Sequence, residues 1–229
     1  MKRFYKAAAV SAAGEDFQIL LDGREVKTPA RNTLAVPSER LAQAIAAEWE
    51  SQGEKVDPRS MPCTGLANAA IDRVGPDPKA FARSLAAFGE TDLLCYRAEG
   101  PAGLAARQAE VWDPLLAWAR RRFDVDFETV GGIMHRPQPE MTLRQLSHAV
   151  ECRSAFELAA LSPLVTISGS LVIALALAEE AVDLDSAWAA ASLDEAWQFE
   201  QWGEDREAAA VLEARRREFA AGYNFLKLL

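Results

Sequence analysis

An α+β protein, with a small strand-rich N-terminal part followed by a larger all-helical C-terminal part, is what three features of this sequence predict. Two-residue alternation and turn chemistry are confined to roughly the first forty residues. Helical periodicity runs through most of the remaining chain. A composition that is 50% hydrophobic over 229 residues supplies enough apolar chain for one large core or two smaller ones, which argues against disorder.

In the N-terminal part Phe17, Ile19 and Leu21 alternate with Gln18 and Leu20. Asp22-Gly23 separates this run from Glu25-Val26-Lys27-Thr28, the pattern of a two-stranded hairpin with an Asp-Gly turn. A third short run, Thr33 to Val36, follows the turn residues Pro29 and Asn32. Ser38 then reads as the N-cap of a helix in which Leu41, Ile45, Glu48 and Trp49 fall at helical spacing and which ends near Gly53. Pro58 and Pro62 punctuate a loop, Thr64 to Arg73 reads as a short helix, and Gly75-Pro76-Asp77-Pro78 is the most linker-like tetrapeptide of the chain. The expected division is residues 1–75 as the strand-rich domain and 76–229 as the helical domain, with the boundary somewhere in 58–78.

Downstream, Phe81, Leu85 and Phe88 repeat at helical spacing, and Asp92 to Tyr96 is the one extended run expected before a long helix begins near Ala102. Trp112, Leu115, Leu116 and Ala119 form the apolar stripe of that helix, and Asp113-Pro114 within it predicts a kink or a restart. Helices are expected over Leu143 to Val150, Phe156 to Leu161, Ser170 to Glu180, Asp185 to Ala190, Leu193 to Trp202 and Asp205 to Leu228. Between Leu158 and Ala178 stand 21 residues without a formal charge, long enough to cross a bilayer. Ser162-Pro163 and Ser168-Gly169-Ser170 interrupt the stretch, and glutamates rather than bases bound it at Glu157, Glu179 and Glu180. The expectation is therefore two helices joined near Pro163 to Gly169, the second buried on all sides, and no membrane insertion.

Charge and cysteine usage narrow the function. The net charge of -9 is uneven: residues 1–90 hold 12 bases and 12 acids, residues 91–229 hold 13 and 22, and residues 179–207 hold ten acids against the single base Arg206. A nucleic-acid partner is disfavoured by such a field. Cys63, Cys95 and Cys152 stand far apart, with neither a disulfide framework nor a zinc spacing, which points to a reducing compartment. The opening MKRFYKAAAV has early bases, but Lys6 interrupts any secretion signal. Phosphate-binding, zinc-protease and serine-hydrolase motifs are absent. His135 reads as a solvated turn residue, while His148, one helical turn from Gln145 and Cys152, is the only histidine placed to activate a thiol. No cofactor and no metal is expected.

The most informative segment is Asp194 to Asp205, DEAWQFEQWGED, with five carboxylates and two tryptophans in twelve positions. On a helix Trp197 lies one turn above Leu193 and beside Gln201, while Asp194, Glu195, Glu200, Glu204 and Asp205 spread around the cylinder. Such a segment suits gripping a partner better than chemistry. Trp112, Trp118 and Trp188 sit in apolar stripes and read as core, whereas Trp49, Trp197 and Trp202 have charged neighbours and are candidates for partner contact.

In order along the chain, KRFYK, LLDGREVKTPARNTLAVPS, LAQAIAAEWESQ, VDPRSMPCTGLANAAID, ETDLLCYRAEGP, VWDPLLAWA, SGSLVIALALA and DEAWQFEQWGED resemble the ATP synthase assembly chaperones that bind the alpha subunit of the catalytic head, from about Lys2 to Leu228. The resemblance implies a two-domain chaperone without catalysis, which shields unassembled alpha subunit and releases it when the beta subunit arrives. It implies a role for Glu195 first, with Glu200, Glu204 and Asp205 as further candidates, and importance of Trp49 for integrity. Compared with mitochondrial members the chain lacks an Arg- and Ser-rich presequence, which points to a bacterial cytoplasm rather than a mitochondrial matrix, and Cys63 stands where many members carry leucine. A monomer is expected. The alternative is an enzyme with an inter-domain pocket using His148 or the C-terminal carboxylates.

Overall fold

Asp22 and Gly23 both take positive φ, 47° and 79°, the backbone that a two-residue hairpin turn needs and that aspartate and glycine tolerate. The turn joins strand β2 (Asp16–Leu21) to β3 (Arg24–Glu25), and a short β4 (Ala35–Val36) pairs with the start of β2. A strand not evident from the alternation precedes them: β1 (Ala8–Ala13) runs antiparallel to β2 with Val10 opposite Ile19. Its alanines carry almost no hydrophobic or β-propensity signal, so tertiary pairing rather than local preference makes it a strand. These elements belong to a computed structural model that describes residues 2–229.

Helix α1 (Glu39–Glu50) is capped by Ser38, as its sequence predicts, and buries Leu41, Ala42 and Ile45. Together with Ile19, Leu34 and Val36 they form a core with no solvent exposure. Glu48, on the last turn of α1, accepts from the amides of Cys63 and Thr64 at 2.7 and 2.8 Å and from the Thr64 hydroxyl at 2.7 Å, which satisfies the open N-terminus of α2 (Pro62–Ala69). A single π turn, Ala70–Val74, continues α2 and carries Asp72. That carboxylate accepts from Thr28 Oγ1, Ala30 N and Asn32 Nδ2 at 2.7 to 2.9 Å, locking the turn before β4.

Two compact units result, and a single cut does not divide them. The first comprises residues up to Pro78 together with Ser154–Ala160 and Asn224–Leu229, whose Ala160 and Phe225 are fully buried in the strand-side core. The second comprises Lys79–Arg153 and Leu161–Tyr223. It is helical: α3 (Pro78–Ala86), α4 (Ala102–Phe123), α5 (Glu140–Glu151), α6 (Ala155–Ser168), α7 (Leu171–Ala178), α8 (Leu184–Ala191), α9 (Leu193–Trp202) and α10 (Arg206–Leu226), with the terminal parts of α6 and α10 belonging to the first unit.

Three expectations need correction. Asp92 to Tyr96 is not extended: Asp92 caps a turn of 3-10 helix, Leu93–Cys95, and only Tyr96–Arg97 form a strand, β5, parallel to β6 (Val130–Gly131). Pro114 does not restart the helix: α4 runs 22 residues with Pro114 inside it, on the exposed side. The helix expected to stop at Leu161 continues through Pro163 to Ser168. Helix α7 is buried from Leu171 to Leu177, as its all-round apolar sequence implies. No described helix is long and apolar enough to cross a membrane.

Candidate functional site

The acidic segment becomes helix α9 and the turn into α10, and neighbouring helices sort its charges into distinct roles. Leu193 is buried at the start of α9, and Trp197, one turn above it, is half-buried. The indole lies on α4 at Gly103, where a Cβ would come within 2.9 Å of Cη2, so a bare backbone is what lets the ring approach. One turn further along α4, Arg107 stacks over the same ring at 5.0 Å and donates to both oxygens of Glu200 at 2.8 Å. The Arg107 hydrogen bond holds the Glu200 carboxyl below its ordinary range, and Glu200 in turn raises Arg107.

Asp194 accepts from Gln108 Nε2 at 2.8 Å, and the other end of that buried amide accepts from Ala98 N at 2.7 Å. Glu195 faces α10, where Arg215 donates to it at 3.1 Å and to the carbonyl of Ile167 at 2.7 Å. Asp194, Glu195, Gln198 and Arg215 edge a cavity of about 510 Å³ whose inner wall includes Leu93 and Trp112. Asp205 is a cap, accepting from Glu207 N and Ala208 N at 3.0 and 2.9 Å at the start of α10.

Of the five acids only Glu204 makes no hydrogen bond or ion pair among the described residues. Beside it Trp202 is 78% exposed, the most exposed tryptophan position the chain can offer a partner. Trp197 and Trp202, equivalent by neighbouring charge in the sequence, are thus separated by the structure: one is a packing residue, the other a bare aromatic surface at an acidic helix end. Trp49 falls with the packing residues. Its ring meets Tyr5 edge-on at 5.5 Å, and its carbonyl accepts from the Tyr5 hydroxyl at 2.7 Å. Trp112 is core, while Trp118 and Trp188 are half-buried.

Other reactive groups have quiet surroundings. Burial first, then Glu48, pushes the Cys63 thiol up to about 12, and burial first, then Asp92, does the same to Cys95. Cys152 Sγ lies 3.7 Å from His148 Nε2 on the exposed side of α5. His135 bonds to Tyr96 Oη at 3.2 Å and pairs with Glu90 at 3.3 Å, so it is tethered rather than simply solvated. Among the described residues no three His, Cys, Asp or Glu side chains gather as metal ligands.

Two features escaped sequence reasoning. Ile133 and Met134 are 94% and 80% exposed in the loop after β6, an apolar pair whose signal was its position between Gly132 and His135-Arg136-Pro137. Asp92 is fully buried, and accepts from Ser170 Oγ at 2.7 Å, Val172 N at 3.0 Å and Leu94 N at 3.1 Å. It thereby seals the N-terminus of α7.

A strand-bearing unit is followed by a helical unit, whose α9 ends in an acidic tip with Trp202 exposed. The profile of the ATP12 chaperone protein family matches residues 2–120, and the chain belongs to that family of ATP synthase assembly chaperones. It is 26% identical over 222 residues to the mitochondrial protein atp12 of Schizosaccharomyces pombe, covering 92% of this chain and 76% of that one. Among solved structures, Paracoccus denitrificans Atp12 superposes with a TM-score of 0.95 at 38% identity, covering 99% of this chain and 97% of that chain. An aspartate-to-lysine variant of the same Paracoccus protein gives the same TM-score, 0.95, at 37% identity and equal coverage. Atu1473 of Agrobacterium tumefaciens, described as a candidate chaperone, gives 0.95 at 41% identity over 99% of this chain and 85% of that chain.

Proposed function

We propose that this chain binds the unassembled alpha subunit of ATP synthase, covers an assembly interface on it, and releases it to the beta subunit without any catalytic turnover. Subunits destined for a ring carry large apolar contact surfaces, and such patches are aggregation hazards on a free monomer. A shield for them needs a surface that is apolar but kept in solution by charge. The observation that carries this reading is the tip between α9 and α10, where Trp202 stands 78% exposed beside Glu204, which has no hydrogen bond or ion pair among the described residues. Glu195, with Arg215, forms the second contact, and Glu200 and Asp205 hold the tip in shape. The bacterial relatives at 38% and 41% identity support a bacterial cytoplasm as the site of action.

The test is suppression of light scattering by purified alpha subunit diluted from denaturant. The intact chain lowers scattering, and Trp202→Ala combined with Glu204→Lys weakens the effect while circular dichroism and the melting point stay as they were. Equal protection by the double variant removes the tip from the mechanism, and no protection by the intact chain removes the client.

A further inference from the structure

Within the helical unit, the cavity of about 510 Å³ beside α9 falls in the size range of pockets that take a ligand, about 300–1,000 Å³. Leu93, Trp112 and Ile167 give it an apolar wall, and Asp194, Glu195, Gln198 and Arg215 give it a polar one. The charges around it do not cancel. Arg215 is matched by Glu195 at 3.1 Å and also donates to the carbonyl of Ile167 at 2.7 Å. Bases on the adjoining elements are matched as well: Arg107 by Glu200, and Arg97, which lies over the Trp112 ring, by Asp113. Asp194 has only the neutral amide of Gln108, which donates to Oδ1 at 2.8 Å, and Oδ2 has no partner among the described residues.

The last turn of α6, Thr166 to Ser168, lines the same cavity and adds the partial negative charge of a helix C-terminus. Gln198, exposed and without a hydrogen bond among the described residues, offers a further acceptor. An unmatched carboxylate, a helix C-terminus and a free amide oxygen beside an apolar wall suit a cation carried on an aliphatic stem, as in lysine or arginine. A second copy of this chain is a poor source of it at this face. Residues 179–207, which include α8 and α9, hold ten acids against the single base Arg206, so two such faces repel.

We propose that this cavity is a socket for one basic side chain of the client, with the charged head at Asp194 Oδ2 and the stem against Leu93 and Ile167. The inference rests on the alpha subunit being the client. Asp194→Asn removes the charge and keeps an oxygen for Gln108, while Thr166→Trp fills the cavity from its exposed rim without altering a charge. Each weakens binding of purified alpha subunit about tenfold at an unchanged melting point, and Asp194→Asn also makes binding less sensitive to salt. Carbodiimide coupling of glycine amide to carboxylates of the unaltered chain, read by mass spectrometry, labels Asp194 in the free chain and spares it in the complex. Undiminished binding by either variant, or equal labelling of Asp194 in both states, overturns the socket and leaves the client reading standing. Protection of Asp194 on concentrating the chain alone assigns the cavity to a second copy and likewise overturns the socket. Absence of any complex overturns both readings. If Thr166→Trp does not fold, Asp194→Asn and labelling of the unaltered chain decide.

Discussion

Removing the buried carboxylate of Asp92 tests whether a charge sealed against a helix end holds the helical unit together. Asp92→Ala leaves Ser170 Oγ, Val172 N and Leu94 N without their acceptor in a site that water does not reach. At about 2 kcal/mol for each unsatisfied buried donor the loss is about 6 kcal/mol. Against it stands the relief of a buried charge. Burial raises the Asp92 carboxyl from its ordinary 3.8 to about 6, opposed by the bonds from Val172, Ser170 and Leu94. A difference of about two pH units is worth about 3 kcal/mol at neutral pH, so the net destabilisation is about 3 kcal/mol. For a chain of this size that is a melting point lower by roughly 6–12 °C in calorimetry.

The same carboxyl sets a pH dependence of definite sign. Because its folded pKa lies above its unfolded one, the native state binds the proton more tightly. Its contribution is present in full below about pH 4 and is lost as the pH rises through about 6. Asp92→Asn keeps one oxygen acceptor and no titration, so denaturant unfolding of the two proteins between pH 4 and 7 isolates the effect. The stability of the parent relative to Asp92→Asn grows by about 3 kcal/mol towards acid, other carboxylates cancelling in the difference. A flat difference, or one that grows towards alkali, refutes the reasoning.

Two further substitutions separate packing from contact within the acidic segment. Gly103→Ala puts a methyl 2.9 Å from Trp197 Cη2, so the ring must move; unfolding is easier by about 1–2 kcal/mol and the tryptophan emission shifts red, whereas unchanged emission denies the close approach. Glu195→Lys breaks a pair whose partners are 36% and 41% exposed, worth at most about 1 kcal/mol, so the melting point changes by no more than about 4 °C while protection of alpha subunit falls. A large loss of stability would make Glu195 structural rather than a contact.

Legibility in the sequence followed the reach of the interactions. The Asp22-Gly23 turn, the Ser38 cap and the span of α9 from Leu193 to Trp202 were readable because each depends on neighbours within a turn or two of chain. β1 was not readable, since its alanines become a strand only through pairing with β2. The 3-10 turn at Leu93–Cys95 was missed because Asp92 is held by Ser170 and Val172, nearly eighty positions away.

By itself, then, the sequence determined the α+β class, the order of most helices, the concentration of acids near the C-terminus and, through its ordered motifs, the chaperone family. What only the tertiary structure decided is which acidic and aromatic side chains remain available. Gly103, Arg107 and Gln108 take Trp197, Glu200 and Asp194 as partners, Asp205 is spent on a cap, Glu195 keeps an exposed edge beside Arg215, and Trp202 and Glu204 are left facing water. The physical reason is that helical periodicity places residues on a face, whereas the partner waiting at that face comes from a distant part of the chain.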